Sequence, residues 1–122
     1  MKLGVSVKNI QKFDVVLVNF KNGVGSEQTG VRPAVVVQNS IGNRYSDCTI
    51  VLPITSKIKK TNMPTHAFLS KGDEKGLSKD SIVLAECVRQ ISEERIIEYM
   101  GSITDKKEQE DIRKCYYANF EE

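Results

Sequence analysis

The sequence contains little of the material from which metal and disulfide sites are built. It has one histidine and three cysteines in 122 residues, and Cys48, Cys87 and Cys115 are widely spaced with no C-x-x-C pair. This pattern argues against a zinc site or a disulfide framework and is typical of a protein in a reducing cytoplasm. The sequence has no P-loop, G-x-S-x-G or H-E-x-x-H motif either. We therefore expect neither a bound metal nor a cofactor.

Long hydrophobic runs are also missing. No apolar stretch approaches the length of a membrane span, and the first residues, MKLGVSVKNIQK, lack the apolar centre of a signal peptide. Hydrophobic residues make up 39% of the chain and charged residues 28%, which is ordinary for a globular protein. We expect one domain over residues 1–122, located in the cytoplasm and not in a membrane.

Charge is unevenly distributed along the chain, although the net charge is only +2. Residues 1–80 contain 12 Lys and Arg against 6 Asp and Glu, whereas residues 81–122 contain 6 against 10. Taken singly, the lysines of the first part are expected to form a solvated face: Lys57, Lys59, Lys60, Lys71, Lys75 and Lys79. Together they are a plausible electrostatic footprint for a polyanion.

Short β-branched and apolar runs recur between turn signals such as Asn22-Gly23, Gly42-Asn43 and Gly72-Asp73. The predicted strands cover Val15–Phe20, Ala34–Gln38, Thr49–Ile54, Thr65–Leu69, Ile82–Val88 and, more weakly, Ile97–Ile103. Short strands at this spacing predict a strongly bent antiparallel sheet or small barrel.

The C-terminal part predicts a helix over residues 105–118. Asp105 and Glu108 have capping-box spacing, and Ile112, Cys115 and Tyr116 share one apolar face. Upstream, Ser92 is expected to cap a short turn.

One segment, GSEQTGVRPAVVVQN over residues 25–39, combines a polar glycine-bounded loop with a buried strand. It delivers Arg32 to the first residues of the strand, and Pro33 fixes the adjoining backbone dihedral. A guanidinium is always charged and its planar fork matches phosphate oxygens. From the residues alone, an arginine that pairs with Glu27 or caps the loop is the favoured interpretation.

This segment resembles the signature loop and second strand of the MazF/PemK endoribonuclease toxins of type II toxin–antitoxin systems. Further similarities follow in matching order over roughly residues 12 to 105. They are DVVLV at 14–18, NSIGN at 39–43, ITS at 54–56, PTH at 64–66 and SIVLAECVR at 81–89.

The resemblance implies an SH3-like antiparallel barrel with a C-terminal helix. It also implies a homodimer that cleaves single-stranded RNA without a metal and is inhibited by an antitoxin with an acidic, partly disordered tail. RNA carries its own nucleophile, because the 2′-OH can attack the adjacent phosphorus. By resemblance, Arg32 and Thr55 are the catalytic pair and Ser56 is a neighbour that contacts phosphate. Without the family, Thr55 would be interpreted as an ordinary strand-end residue.

Glu86 interrupts an apolar strand, where it is either an outward-facing residue, paired for example with Arg89, or an acid–base group. Some branches of the family place a catalytic carboxylate here, with an arginine two positions earlier. This chain has Leu84 at that earlier position, so Glu86 remains a secondary candidate. The single histidine, His66, is interpreted as structural.

Several polar side chains are candidates for RNA binding: Ser26, Glu27, Gln28, Gln38, Asn39 and Lys57. Of these, Gln28, Gln38 and Asn39 can read the edges of unstacked bases. Aromatic platforms for bases are few. Tyr45 is a candidate, and Phe20 and Phe68 are expected to pack in the core instead.

Two other functions compete with RNA cleavage. One is a non-catalytic toxin that binds a protein target such as gyrase on the same barrel, and the other is a nucleic-acid-binding barrel without activity. Arg32 together with Thr55 favours cleavage, because a protein-binding toxin needs no phosphate site.

Overall fold

The structure, a computed structural model, describes residues 9–21, 30–58 and 63–121. Within these ranges the chain forms seven strands, and the α-helices lie between strands and at the C-terminal end. The strands are β1 (Asp14–Asn19), β2 (Val31–Val36), β3 (Cys48–Thr55), β4 (His66–Leu69), β5 (Ser81–Leu84), β6 (Arg89–Ser92) and β7 (Ile96–Ser102). The helices are α1 (Ser40–Tyr45) and α2 (Lys106–Tyr117).

The sheet is antiparallel throughout, in the order β4-β5-β3-β2-β1-β7, with β6 also paired to β3. The long strand β3 organises it. At Val51, β3 pairs with β2 through Val36 and with β6 through Arg89, so these two partners lie on opposite edges of β3. Strand β5 pairs with the other end of β3 at Ile54 and Thr55.

The single strand predicted over 82–88 is wrong in its second half. The chain leaves β5 at Leu84, turns through a 3₁₀ helix at Ala85–Cys87, and resumes as β6 at Arg89. Its uninterrupted apolar pattern concealed this turn, because Ala85 is buried even though it lies in the turn.

Side chains alternate along the central strands and feed two hydrophobic cores. Val15, Val35 and Leu52 enter a core that also contains Ile112 and Cys115 of α2. Their neighbours enter a second core, which includes residues of β6 and β7: Val16, Val18, Ala34, Val36, Val51, Ile91 and Ile96. Both faces of the central strands are therefore covered, as expected for a sheet that bends round on itself.

Helix α2 confirms the prediction at the C-terminal end. Asp105 caps it by accepting a hydrogen bond of 2.9 Å from the backbone N–H of Glu108. Ile112 and Cys115 are buried against the sheet, and burial raises the pKa of the Cys115 thiol to about 12, so this thiol stays neutral. The predicted fold class, a small SH3-like antiparallel β structure with a C-terminal helix, is confirmed.

Three local predictions need correction. Gly42-Asn43, interpreted as a turn signal, lies inside a short helix, α1. Phe68, expected in the core, is 54% exposed on β4, whereas Phe20 is buried as predicted. Lys75, expected on a solvated face, is only 2% exposed, because its ammonium group is held by an ion pair.

Candidate active site

Arg32 and Thr55 meet at one end of the β2–β3 pair. The register pairs Ala34 with Pro53 and Val35 with Leu52. The ladder ends at Ala34 and Pro53, and Arg32 and Thr55 each lie two residues beyond these positions, at the same end of the strand pair. Both residues line one cleft. The structure therefore brings the two predicted catalytic residues together.

The hydroxyl of Thr55 is held in place by the backbone that follows it. Thr55 is half-buried at the last position of β3, and its Oγ1 accepts a hydrogen bond of 3.1 Å from the backbone N–H of Lys57. A hydroxyl can accept and donate at once. Its proton therefore stays available to a substrate oxygen while the oxygen position is fixed.

Arg32 and Thr55 open onto a cleft of about 370 Å³. Residues from the ends of β2 and β3, from the β4–β5 loop, and from β7 line this cleft. The lining residues are Val31, Arg32, Pro33, Ile54, Thr55, Ser56, Lys57, Gly76, Leu77, Ser78, Lys79, Ser81 and Met100. The candidates Ser56 and Lys57 thus lie with the predicted pair.

The cleft is built for an anion. Arg32, Lys57 and Lys79 line it, and no carboxylate is among its described lining residues. Three cationic side chains along one cleft create a positive potential that attracts phosphate groups. The site can therefore hold a phosphodiester and stabilise added negative charge on its oxygens.

The wall formed by the β4–β5 loop was missed in the sequence. Ser78 and Lys79 of this loop, and Ser81 at the start of β5, line the cleft, whereas the sequence predicts only that Lys79 belongs to a solvated, basic face. The signal that could have found them is a short polar stretch, SKDS at 78–81, which leads directly into the apolar run of β5.

Glu86 lies away from this cleft. Its Oε1 accepts a hydrogen bond of 3.0 Å from Thr65 Oγ1, and its Oε2 lies 2.9 Å from His66 Nε2. Burial alone acts to raise the pKa of the Glu86 carboxyl. Hydrogen bonds from His66, from its own backbone and from Thr65 outweigh burial, so the pKa is lowered. The carboxylate joins β4 to the turn after β5, an arrangement that suits a structural role.

We expect Glu86→Gln to keep RNA cleavage within about threefold of wild type, because Gln retains the shape and an acceptor for Thr65. The check is the initial rate on a fluorogenic oligonucleotide, with Glu98→Gln as a control at an exposed position of β7. A loss of about 100-fold, the usual effect of removing an acid–base group, would return Glu86 to the catalytic machinery.

Glu86→Gln should also lower the stability of the fold at neutral pH. A carboxyl with a lowered pKa stabilises the folded state above its unfolded pKa, and that contribution is lost as the pH falls through the folded pKa. Wild type should therefore exceed Glu86→Gln in free energy of unfolding at about pH 7, by less than about 1 kcal/mol because the pair is partly exposed. Urea denaturation should show this difference vanishing as the pH falls through the lowered pKa of Glu86.

Gln38 and Asn39 lie at the opposite end of β2 from Arg32, where their side chains form hydrogen bonds with residues of α1. Gln38 Nε2 donates to Asn43 Oδ1 (3.0 Å) and to the Cys48 carbonyl (3.1 Å). Asn39 caps α1 by accepting 2.8 Å from the Gly42 N–H. The structure does not bring them to the cleft. Ser26, Glu27 and Gln28 lie outside the described residues.

Within residues 9–21, 30–58 and 63–121, no group of three or more His, Cys, Asp or Glu side chains is placed to hold a metal ion. Over the same ranges, neither α-helix is long and apolar enough to cross a membrane.

Fold and cleft together define a class: a small antiparallel β protein with a cleft lined by cationic side chains at one end of its β2–β3 pair. Comparison with known proteins gives the family. Residues 11–116 match the family described as the PemK-like, MazF-like toxin of type II toxin–antitoxin systems. The chain is also 41% identical over 101 residues to "Endoribonuclease MazF" of Staphylococcus saprophyticus, covering 83% of each protein.

Solved structures support the same fold. MazF from Deinococcus radiodurans superposes with a TM-score of 0.76 at 22% identity, covering 91% of this chain and 96% of that one. An endoribonuclease from a mycobacterial species, in complex with its cognate antitoxin, superposes with a TM-score of 0.68 at 17% identity, covering 91% and 94%. The chain belongs to the PemK-like, MazF-like toxin family of type II toxin–antitoxin systems.

Proposed function

We propose that this protein is a sequence-selective, metal-independent endoribonuclease, the toxin of a toxin–antitoxin pair. The observation that carries the proposal is that Arg32 and Thr55 line one cleft together with two lysines, Lys57 and Lys79. The relative from Staphylococcus, named as an endoribonuclease, supports cleavage over the two alternatives, a gyrase-binding toxin and a nucleic-acid-binding barrel.

The reaction uses the RNA's own nucleophile. The 2′-OH loses its proton and its oxygen bonds to the adjacent phosphorus, while the bond from phosphorus to the 5′ oxygen breaks and that oxygen takes up a proton. The products are a 2′,3′-cyclic phosphate and a 5′-OH. The protein has to align the attack, neutralise the growing charge and assist proton movement.

Arg32 acts on charge in this scheme. Its guanidinium binds the non-bridging oxygens of the scissile phosphate and stabilises them as the phosphorane forms. Thr55 acts on position and protons. With Oγ1 fixed by the Lys57 N–H, its hydroxyl donates to an oxygen of the same phosphate.

The remaining cleft residues bind the flanking chain. Ser56, Lys57 and Lys79 contact the phosphates next to the scissile one. Cationic grooves bind single strands in this way, by contacting successive phosphates of the backbone. Ser26, Glu27 and Gln28 of the loop before Arg32 are proposed to contact bases. Gln38 and Asn39, which form hydrogen bonds to α1 and its surroundings, would contact only an RNA long enough to run from the cleft to the other end of β2.

We also propose the partners. A homodimer in the cytoplasm would present two such clefts, and an antitoxin with an acidic tail would cover them by charge complementarity. The mycobacterial neighbour, solved in complex with its cognate antitoxin, supports an antitoxin as a protein partner.

The test is to map the 5′ ends of fragments produced from a mixed RNA by purified protein in EDTA. We expect cuts at one short sequence motif, and no cuts by the double variant Arg32→Ala/Thr55→Val purified in the same way. Random fragmentation, equal activity of the double variant, or loss of cleavage in EDTA would each contradict the proposal.

A separate prediction concerns Lys57 and Lys79. Replacing both by Ala should raise the KM for RNA and reduce its dependence on salt, because each phosphate contact to single-stranded nucleic acid contributes about 0.7 to the logarithmic salt slope. The slope should fall by about 1.4 in total. Lys114→Ala, on α2 and outside the cleft lining, is the matched control and should leave the slope unchanged. An unchanged slope in the double variant would remove these lysines from the RNA path.

A further inference from the structure

Lys75 is the most deeply buried charged side chain among the described residues, at 2% exposure. It ends a 3₁₀ helix, Asp73–Lys75, in the β4–β5 loop. Its Nζ donates to the Ser70 carbonyl (2.5 Å) and to Ser70 Oγ (3.0 Å), and it lies 3.0 Å from Glu108 Oε1. A buried ammonium is costly unless its donors are satisfied, and here the surrounding oxygens satisfy them.

Glu108 binds both Ser70 and Lys75. Its Oε2 accepts from the Ser70 N–H (3.0 Å), from Ser70 Oγ (3.1 Å) and from Lys75 Nζ (3.2 Å). It lies in the first turn of α2, which is fixed by the Asp105 cap. The C-terminal helix thus holds both the start of the β4–β5 loop, at Ser70, and its middle, at Lys75.

The residues immediately after Lys75 line the cleft. Gly76, with a φ of +72°, packs so closely on β7 that a Cβ there would lie 2.4 Å from the Met100 carbonyl oxygen. A Cβ on Gly101 would lie 2.2 Å from the Glu74 carbonyl oxygen. The loop is therefore clamped between the backbone of β7 on one side and Glu108 on the other.

We infer that the Lys75–Glu108 pair is a positioning device for the active site. It holds the β4–β5 loop so that Ser78 and Lys79 form a fixed wall of the cleft that Arg32 and Thr55 share. This inference rests on the proposed function. The ion pair is not needed to hold α2 on the sheet, since Ile112 and Cys115 already anchor that helix by apolar burial. Replacing a buried ion pair by neutral groups often leaves a fold intact.

The test uses the double variant Lys75→Met/Glu108→Gln, which leaves no unpaired buried charge, beside the single variant Lys75→Met. Hydrogen exchange should speed up at the amides of Gly76 and Leu77, which close the loop by bonding to Asp73 and Gly72, by about tenfold or more. RNA cleavage should lose about tenfold or more in kcat, because alignment of the substrate is lost, and KM should rise as well, because Lys79 moves with the loop.

Two controls separate positioning from general stability. Lys107→Met removes an exposed ion pair with Asp111 on the same helix, and Ile112→Val loosens the packing of α2 without touching the cluster. Both should keep wild-type kcat at a temperature where all variants are folded. An equal loss of kcat in Ile112→Val would overturn the inference, as would wild-type kcat in the double variant.

The exchange measurement distinguishes a failure of the positioning role from a failure of the proposed RNA cleavage. Unchanged exchange at Gly76 and Leu77, with wild-type cleavage intact, overturns the inference alone. A wild-type protein that cleaves no RNA overturns the proposed function and with it the catalytic part of the inference.

Discussion

Arg32→Ala should lower kcat for RNA cleavage by about 100- to 1,000-fold while changing RNA affinity far less. Removing one group that stabilises transition-state charge has an effect of this size. Affinity survives because Lys57 and Lys79 still line the cleft. The measurement is single-turnover cleavage of a fluorogenic chimeric oligonucleotide in EDTA, with affinity determined separately on an uncleavable 2′-deoxy analogue.

Arg32→Lys is the matched comparison. It keeps the charge but not the planar fork, so it should recover only part of the rate. Both variants should remain folded, because Arg32 is partly exposed near the start of β2 and its loss opens no core cavity. Cleavage at the wild-type rate by Arg32→Ala would show that the guanidinium does not act on the scissile phosphate.

Thr55→Val should lower kcat by about 100-fold, the lower range expected when a group that assists proton transfer is removed. Valine keeps the shape at the end of β3 and removes only the hydroxyl, which also accepts the Lys57 N–H at 3.1 Å. Rates from the same oligonucleotide assay give the result, together with a thermal unfolding midpoint close to that of wild type.

Thr55→Ser separates the hydroxyl from the rest of the side chain. It should keep the rate within about tenfold, since Ser restores a donor and acceptor at the same position. If Thr55→Ser were as slow as Thr55→Val, the methyl group and not the hydroxyl would be important. If Thr55→Val were as fast as wild type, Thr55 would have no part in the chemistry.

The sequence predicted the central strands and α2 well because their signals are local. Alternating apolar residues specify both faces of β1 to β3, and the Asp105 cap with Ile112 and Cys115 specifies the helix. The proximity of Arg32 and Thr55 is different. It was expected from resemblance alone, and its physical reason is the antiparallel pairing of β2 with β3, which brings both residues to one cleft.

Other features could not be predicted because they depend on contacts between distant segments. Lys75 is buried only because Glu108, 33 positions later, comes to meet it. Ser78 joins the cleft because the loop packs on Met100 of β7. Glu86 is hydrogen-bonded to Thr65 and His66, which lie about 20 positions earlier in the chain. The turn at Ala85–Cys87 could not be predicted for a different reason: a buried alanine fits the apolar pattern of a strand as well as that of a turn.

The most direct test of the central claim is the chemistry of the product ends in EDTA. An oligoribonucleotide containing one preferred site is compared with an otherwise identical one that carries a single 2′-deoxy nucleotide on the 5′ side of the scissile phosphate. We expect the first to yield a 2′,3′-cyclic phosphate and a 5′-OH by mass spectrometry, and the second to remain intact. Cleavage of the 2′-deoxy substrate, or a product bearing a 5′-phosphate, would contradict attack by the RNA's own 2′-OH between Arg32 and Thr55.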